Sequence, residues 1–186
     1  MVIHAPGVPA DPGRTVAIIM NKSHQKNGWM VFFLPVCVLI LIDQVSKLLA
    51  AHFLKGQPSL GLIPGVFELF YLENRGAAFG MFKGRQLLLA VLALAITGFA
   101  AWICIRVLPP TKLYRPLQVV CIMLSAGALG NMIDRLWHHY VIDFLYFSLI
   151  NFPVFNIADV YVCVSCAALI FLILFRYREE DLQRLR

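Results

Sequence analysis

GNMIDRLWHHYVIDFLYFSLINFPVFNIAD, residues 130–159, decides how this chain is read. It carries Asp134, Asp143 and Asp159, three of only ten acidic residues in a chain of 186. It lies between two apolar runs, each long enough to cross a bilayer. A carboxylate so close to hydrocarbon is costly, so an acid in such a place is read first as functional.

Working outward, 60% of the residues are hydrophobic, only 14% are charged, and the mean hydropathy is +0.77. A soluble domain carries about 25% charged residues. The expected fold class is therefore mainly α: a polytopic membrane protein, a four-transmembrane-helix bundle with a small extracytoplasmic β/loop element, folded as one domain. The net charge of +6 lies at segment ends and in loops, where membrane topology puts basic residues, so no nucleic-acid partner is implied. Cys37, Cys104, Cys121, Cys163 and Cys166 all fall inside apolar runs and read as packing residues. Cys163 and Cys166 form a CxxC, but without a second pair the metal or redox reading is weak.

Taken in order, residues 1–28 are polar, contain Pro6, Pro9 and Pro12, and lack the apolar core of a signal peptide; they are expected to be a disordered cytoplasmic tail. Spans are expected at about 29–53, 86–107, 116–137 and 156–177, with one four-helix transmembrane domain over 29–177 and a charged cytoplasmic tail at 178–186. In the first span Asp43 and Lys47 are four residues apart, so they share a helix face and can pair. Residues 54–85 form a periplasmic element. It opens with a turn-rich loop holding Gly56, Pro58, Gly61, Pro64 and Gly65; residues 65–73 suit a short strand. Phe79, Met81 and Phe82 follow, and can form an apolar surface element that covers a site. In the third span, Ser125 to Asn131 (SAGALGN) lets helices approach closely.

Ten of the sixteen Lys and Arg residues fall on one side if both termini are cytoplasmic. In that topology Asp43, Asn74, Asp134, Asp143 and Asp159 converge near the outer surface. Asp143 and Asp159 can face each other if the connection between them folds back. Two carboxyls in a low-dielectric site cannot both ionise easily, so one keeps its proton while the other is a base. Such a pair can activate water against an amide and then protonate the leaving amine, without metal or cofactor. Each acid also has a plainer reading: Asp159 as a helix-dipole residue in a first turn, Asp143 as an interfacial loop acid. Asn131, Asp134 and Arg135 share a helix face; Arg135 can pair with Asp134 or present its fork to a carbonyl or lipid phosphate. Asn131 and Arg135 are assigned to substrate binding, Asp134 to support, and Asn74 and Asn156 to orienting a carbonyl or a carboxyl. His138 and His139 are left as interfacial histidines.

Five short motifs occur in order: Asp43-Gln44-x-x-Lys47, Asn74-x-Gly76-Ala77-Ala78-Phe79, Gly130-Asn131-x-x-Asp134-Arg135, Val141-Ile142-Asp143-Phe144 and Phe155-Asn156-x-Ala158-Asp159. With them, roughly residues 29–177 resemble the lipoprotein signal peptidases, or signal peptidase II, of bacteria. The resemblance implies an aspartic endopeptidase of the bacterial inner membrane, a hydrolase that removes signal peptides from diacylglyceryl-modified prolipoproteins just before the lipidated cysteine. It puts the catalytic dyad on Asp143 and Asp159, and the supporting polar residues on Asp43, Lys47, Asn74, Asn131, Asp134, Arg135 and Asn156. It implies lipidated prolipoproteins and membrane lipids as partners, a monomer, and a site near the periplasmic face. The amino-terminal extension has no counterpart in that pattern, and His139 stands where a glycine is common. The rival readings are a proton- or ion-coupled transporter using the acids as a relay, and an assembly subunit whose acids only tie helices together. No inverted repeat or pair of broken helices supports the first.

Overall fold

The computed structural model describes residues 12–76 and 86–185, with side chains from residue 28 in the first segment and from 87 in the second. Helix α1 runs Pro12–Leu54, α2 Gln86–Trp102, α3 Arg115–His138 and α4 Ile157–Phe171; α2 and α4 each end in a π-helical turn, Ile103–Val107 and Leu172–Arg176. A short α5 follows at Glu179–Gln183. Four helical stretches are long and apolar enough to cross a membrane: Gly28–Leu54, Leu87–Val107, Arg115–His138 and Ile157–Arg176. Their outward faces are apolar, with Leu34, Leu48, Leu87, Phe99, Trp137 and Phe175 all more than 60% exposed, which is where acyl chains would lie. The first helix starts earlier than expected. Residues 12–28, read as part of a disordered tail, are helical, because Pro12 suits a helix start and residues 14–27 contain neither proline nor glycine. Residues 1–11 of that tail lie outside the described residues.

Between the spans the chain builds a three-stranded antiparallel sheet in the order β1 (Leu60–Ile63), β2 (Phe67–Asn74), β3 (Val141–Tyr146). The expected turn-rich loop therefore contains a strand. Val66 N–H bonds Ile63 C=O at 2.9 Å, with Pro64 and Gly65 (φ 70°) between them, the residue pattern of a type II turn; the chain reverses there and pairs Leu60 with Leu69. The expected loop after the third span is β3. Val141, Ile142, Asp143 and Phe144 are all buried, so no polar–apolar alternation marks it as a strand in the sequence.

The bundle is packed at three levels. Phe32, Val36, Cys104, Ile105, Ile122 and Ala126 fill the middle. Leu108, Tyr114, Val120, Leu172 and Tyr177 close one end, and Ala50, Leu54, Ile142 and Phe144 join α1 to the sheet at the other. Packing suits Cys104, which is buried, while Cys37, Cys163 and Cys166 are exposed and all three are free thiols. The small residues of α3 do what the sequence suggests. A Cβ on Gly127 would stand 2.5 Å from the Ala158 carbonyl oxygen, and one on Gly130 would stand 2.6 Å from Asp43 Oδ2. Only glycine lets α3 lie this close to α4 and to the acid of α1. At the end of α3, His139 has φ 63°, the left-handed conformation that glycine adopts without strain.

Candidate active site

The site begins with the way the chain returns after β3. A 3-10 turn at Ser148–Ile150 and the left-handed Asn151 (φ 49°) reverse it, and Phe155 then pairs with Leu145 of β3. Phe155 N–H donates to Leu145 C=O at 2.9 Å, and Leu145 N–H returns to Phe155 C=O at 2.8 Å. This pairing brings Asn156 and the start of α4 beside Asp143. Asn156 caps α4: its side-chain oxygen accepts from Asp159 N–H at 3.0 Å, while Asp159 Oδ2 accepts from Asn156 N–H at 3.1 Å. Asp159 is thus a first-turn acid that also capping requires, and its other oxygen, Oδ1, accepts from Asn131 Nδ2 at 2.7 Å.

Three asparagines donate to the two acids; Asn131 and Asn156 link one acid to the other, and Asn74 holds Asp143 alone. Asn156 Nδ2 donates to Asp143 Oδ1 at 2.6 Å and to Asn131 Oδ1 at 3.1 Å. Asn131 Oδ1 also accepts from Lys47 Nζ at 2.9 Å. With two donors on its oxygen, Asn131 must turn its NH2 to Asp159. Asn74 Oδ1 accepts from Gly76 N–H at 3.0 Å, which turns its NH2 onto Asp143 Oδ2 at 2.9 Å. Asp143 is 1% exposed, and burial, with the nearby charge of Asp159, pushes its carboxyl up to about 7.

Behind this pair lies a charged layer. Lys47, 1% exposed, pairs with Asp43 at 2.9 Å and Asp134 at 3.1 Å. Asp43 Oδ1 accepts from Ala158 N–H at 2.9 Å, so an acid of α1 also caps α4. Asp134 Oδ2 accepts from Ile142 N–H at 3.1 Å and holds β3 against α3. Gln44, given no role from sequence, donates to Asp134 at 3.0 Å and to Gly130 C=O at 3.2 Å. Its sequence signals were a second polar side chain next to Asp43 in an apolar run and its place in the Asp43-Gln44-x-x-Lys47 motif.

Two expectations are redirected. Asp134 pairs with Lys47 and not with Arg135, because Asp134 faces α1 and β3. Arg135 reaches Asn131 C=O at 3.2 Å and Gly76 C=O at 3.4 Å, and its buried Nε has no hydrogen-bond partner among the described residues. Asn131, expected to bind substrate, spends its side chain on Lys47, Asn156 and Asp159. The covering role expected of Phe79, Met81 and Phe82 lies outside the described residues.

Asp143, Asp159, Asn74, Asn131 and Arg135 line one cavity of about 510 Å³. Its remaining wall is largely apolar: Val141, Phe152 to Phe155, and Val160, Val162, Cys163 and Val164 of α4. Two carboxyls with a shared amide bridge therefore face a space that is largely hydrocarbon-like.

Comparison with known proteins bears on this arrangement. Residues 35–175 match the family model described as signal peptidase (SPase) II. The lipoprotein signal peptidase of Pseudoalteromonas translucida is 35% identical over 161 residues, covering 82% of this chain and 92% of that one. That of Clostridium acetobutylicum is 34% identical over 151 residues, covering 80% and 96%. Two solved structures, each titled a bacterial membrane enzyme, are similar: one at 27% identity and TM-score 0.69 over 80% of this chain and 92% of that one, the other at 29% and 0.67 over 78% and 94%.

Proposed function

The chain belongs to the signal peptidase II family and is a membrane protease; from that premise we propose that Asp143 and Asp159 are its catalytic dyad, removing signal peptides from diacylglyceryl-modified prolipoproteins just before the lipidated cysteine. One observation carries the reading: both acids line one cavity and are joined through the Asn131–Asn156 amide pair.

The dyad holds one proton between two carboxyls and titrates as a unit. A water between them gives its proton to the carboxylate and attacks the scissile carbonyl carbon, while the carboxylic acid protonates the carbonyl oxygen. The tetrahedral intermediate then collapses. The C–N bond breaks, the amine leaves with a proton from the dyad, and the new carboxyl remains on the signal peptide. Asn74, Asn131 and Asn156 keep both carboxyls in place through this exchange, since each donates to one of them. Arg135, whose side chain lines the cavity, binds a substrate carbonyl or lipid ester oxygen. Asp43, Lys47 and Asp134 support the helices that carry these groups.

In this reading the enzyme is a multi-pass monomer of the bacterial inner membrane, with cytoplasmic termini and the site at the periplasmic face. The distribution of Lys and Arg supports that orientation: Arg106, Lys112, Arg115, Arg176 and Arg178 cluster at the end of the bundle remote from the sheet. Lipids and prolipoproteins then reach the cavity sideways, along the apolar wall of α4.

The test is cleavage of a lipidated prolipoprotein by purified enzyme in detergent with EDTA present. Asp143→Asn and Asp159→Asn are each expected to lower the rate at least 1,000-fold, on the order of removing an essential acid–base group, while the thermal unfolding transition persists. Normal turnover by either variant refutes the dyad.

A further inference from the structure

Asn74, Phe152, Pro153 and Val154 line a second cavity, of about 600 Å³, as well as the first. It is completed by Ser59, Glu68, Phe70, Leu72, Tyr146 and Asn151. Glu68, Phe70, Leu72 and Asn74 of β2 all line it, so the cavity follows the strand from Asn74 to Glu68 past the irregularity between Leu69 and Leu72. Six strand steps separate Asn74, which touches Asp143, from Glu68, a run of about 20 Å. β2 lies between β1 and β3 and beyond Leu69 pairs with β3 alone, and the incoming chain lies across the face on which the cavity opens.

We propose that this face is the subsite for the mature chain of the substrate, and that Glu68 selects a cationic side chain about four to six residues beyond the scissile bond. The inference rests on the proposed cleavage reaction. Direction follows from solvation. The first cavity is walled by Val160, Val162 and Val164 of a membrane-spanning helix, and takes the apolar side of the substrate. The second lies on the sheet, outside the spans, and takes the side that leaves the bilayer. Its polar groups favour a donor: Tyr146 already gives its hydroxyl proton to Asn151 at 2.7 Å, and the Ser59 hydroxyl holds the Glu68 carboxyl below its usual range. Across from Glu68, Tyr146 is its register partner on β3, so aromatic rings flank the carboxylate and suit a Lys or Arg stem.

The experiment uses full-length enzyme and lipidated prolipoprotein peptides that carry Lys or Glu, one position at a time, two to seven residues after the lipidated cysteine. Wild type should prefer Lys by about fivefold in kcat/KM at one or two positions in the middle of that window, the size expected of a half-exposed ion pair, with the preference shrinking in 0.5 M salt. Glu68→Gln should bring the ratio near one, and Glu68→Lys should reverse it. A wild-type ratio near one at every position overturns the subsite, as does a preference that Glu68→Lys leaves unmoved. Failure of the dyad reading looks different: Asp143→Asn would then still cleave, whatever the charge preference.

Discussion

Asp143 is the side chain on which a pH measurement bears most directly. Its carboxyl sits at about 7 against an ordinary 3.8, chiefly through burial. The folded protein thus holds this proton more tightly than the unfolded chain does. The group's contribution to stability is fully present below about pH 4 and is lost as pH rises through about 7. The melting temperature in detergent should fall between pH 5 and pH 8, and Asp143→Asn should flatten that fall. Cleavage, which needs one proton on the dyad, should turn down on the alkaline side near pH 7; a rate still level at pH 9 would contradict a shared proton. Much at this scale was legible in advance. Acids in an apolar chain are few, and each must be explained by a partner or a reaction. The partners were less legible: Arg135 sits one residue from Asp134 in sequence, yet Asp134 turns to Lys47, 87 residues earlier in the chain. At position 139 the resemblance offered a glycine and the backbone shows why: the histidine there occupies a left-handed conformation.

At the scale of elements, the approach of α3 to α4 decides whether Asn131 can meet Asp159. Gly127 permits it. A Cβ there would also lie 2.7 Å from Val162 Cγ2 and 3.3 Å from Val162 N, and backbone cannot step aside as a flexible side-chain end can. Gly127→Ala should destabilise by about 1–3 kcal/mol, the usual cost of overpacking, and should slow cleavage by more than that loss alone explains. Gly98→Ala is the control. It faces open space on α2, where alanine's helix propensity should leave stability equal or up to about 1 kcal/mol higher. Equal melting temperatures for the two variants would argue against close packing at Gly127. The helices themselves were plain in the sequence because hydropathy over twenty residues is a local property. β1 and β3 were not. Four residues make β1, and β3 is buried on both faces at its start, so neither leaves the period that marks a strand.

Taken whole, the molecule is pinned at the end that carries the sheet by one buried cation. Lys47 of α1 bonds Asp134 and Asn131 of α3, and its partner Asp43 caps α4. Lys47→Met would leave Asp43 and Asp134 buried without a counter-charge, at a cost of about 3–5 kcal/mol. It would also release the Asn131 amide to flip away from Asp159. A lowered melting temperature together with lost cleavage is expected; retention of both would show that Lys47 is dispensable to the helix junction. The sequence by itself determined that the chain lives in a membrane, how many times it crosses, and which few acids required an explanation. Each of those follows from composition over short windows and from the cost of charge near hydrocarbon. Only the tertiary structure decided which donor each carboxyl takes and which way each asparagine points. Those choices depend on the backbone pairing of Leu145 with Phe155 and on hydrogen bonds between residues as far apart as Asp43 and Ala158. Such distances in the chain leave no periodic trace, and become neighbours only when the helices close on one another.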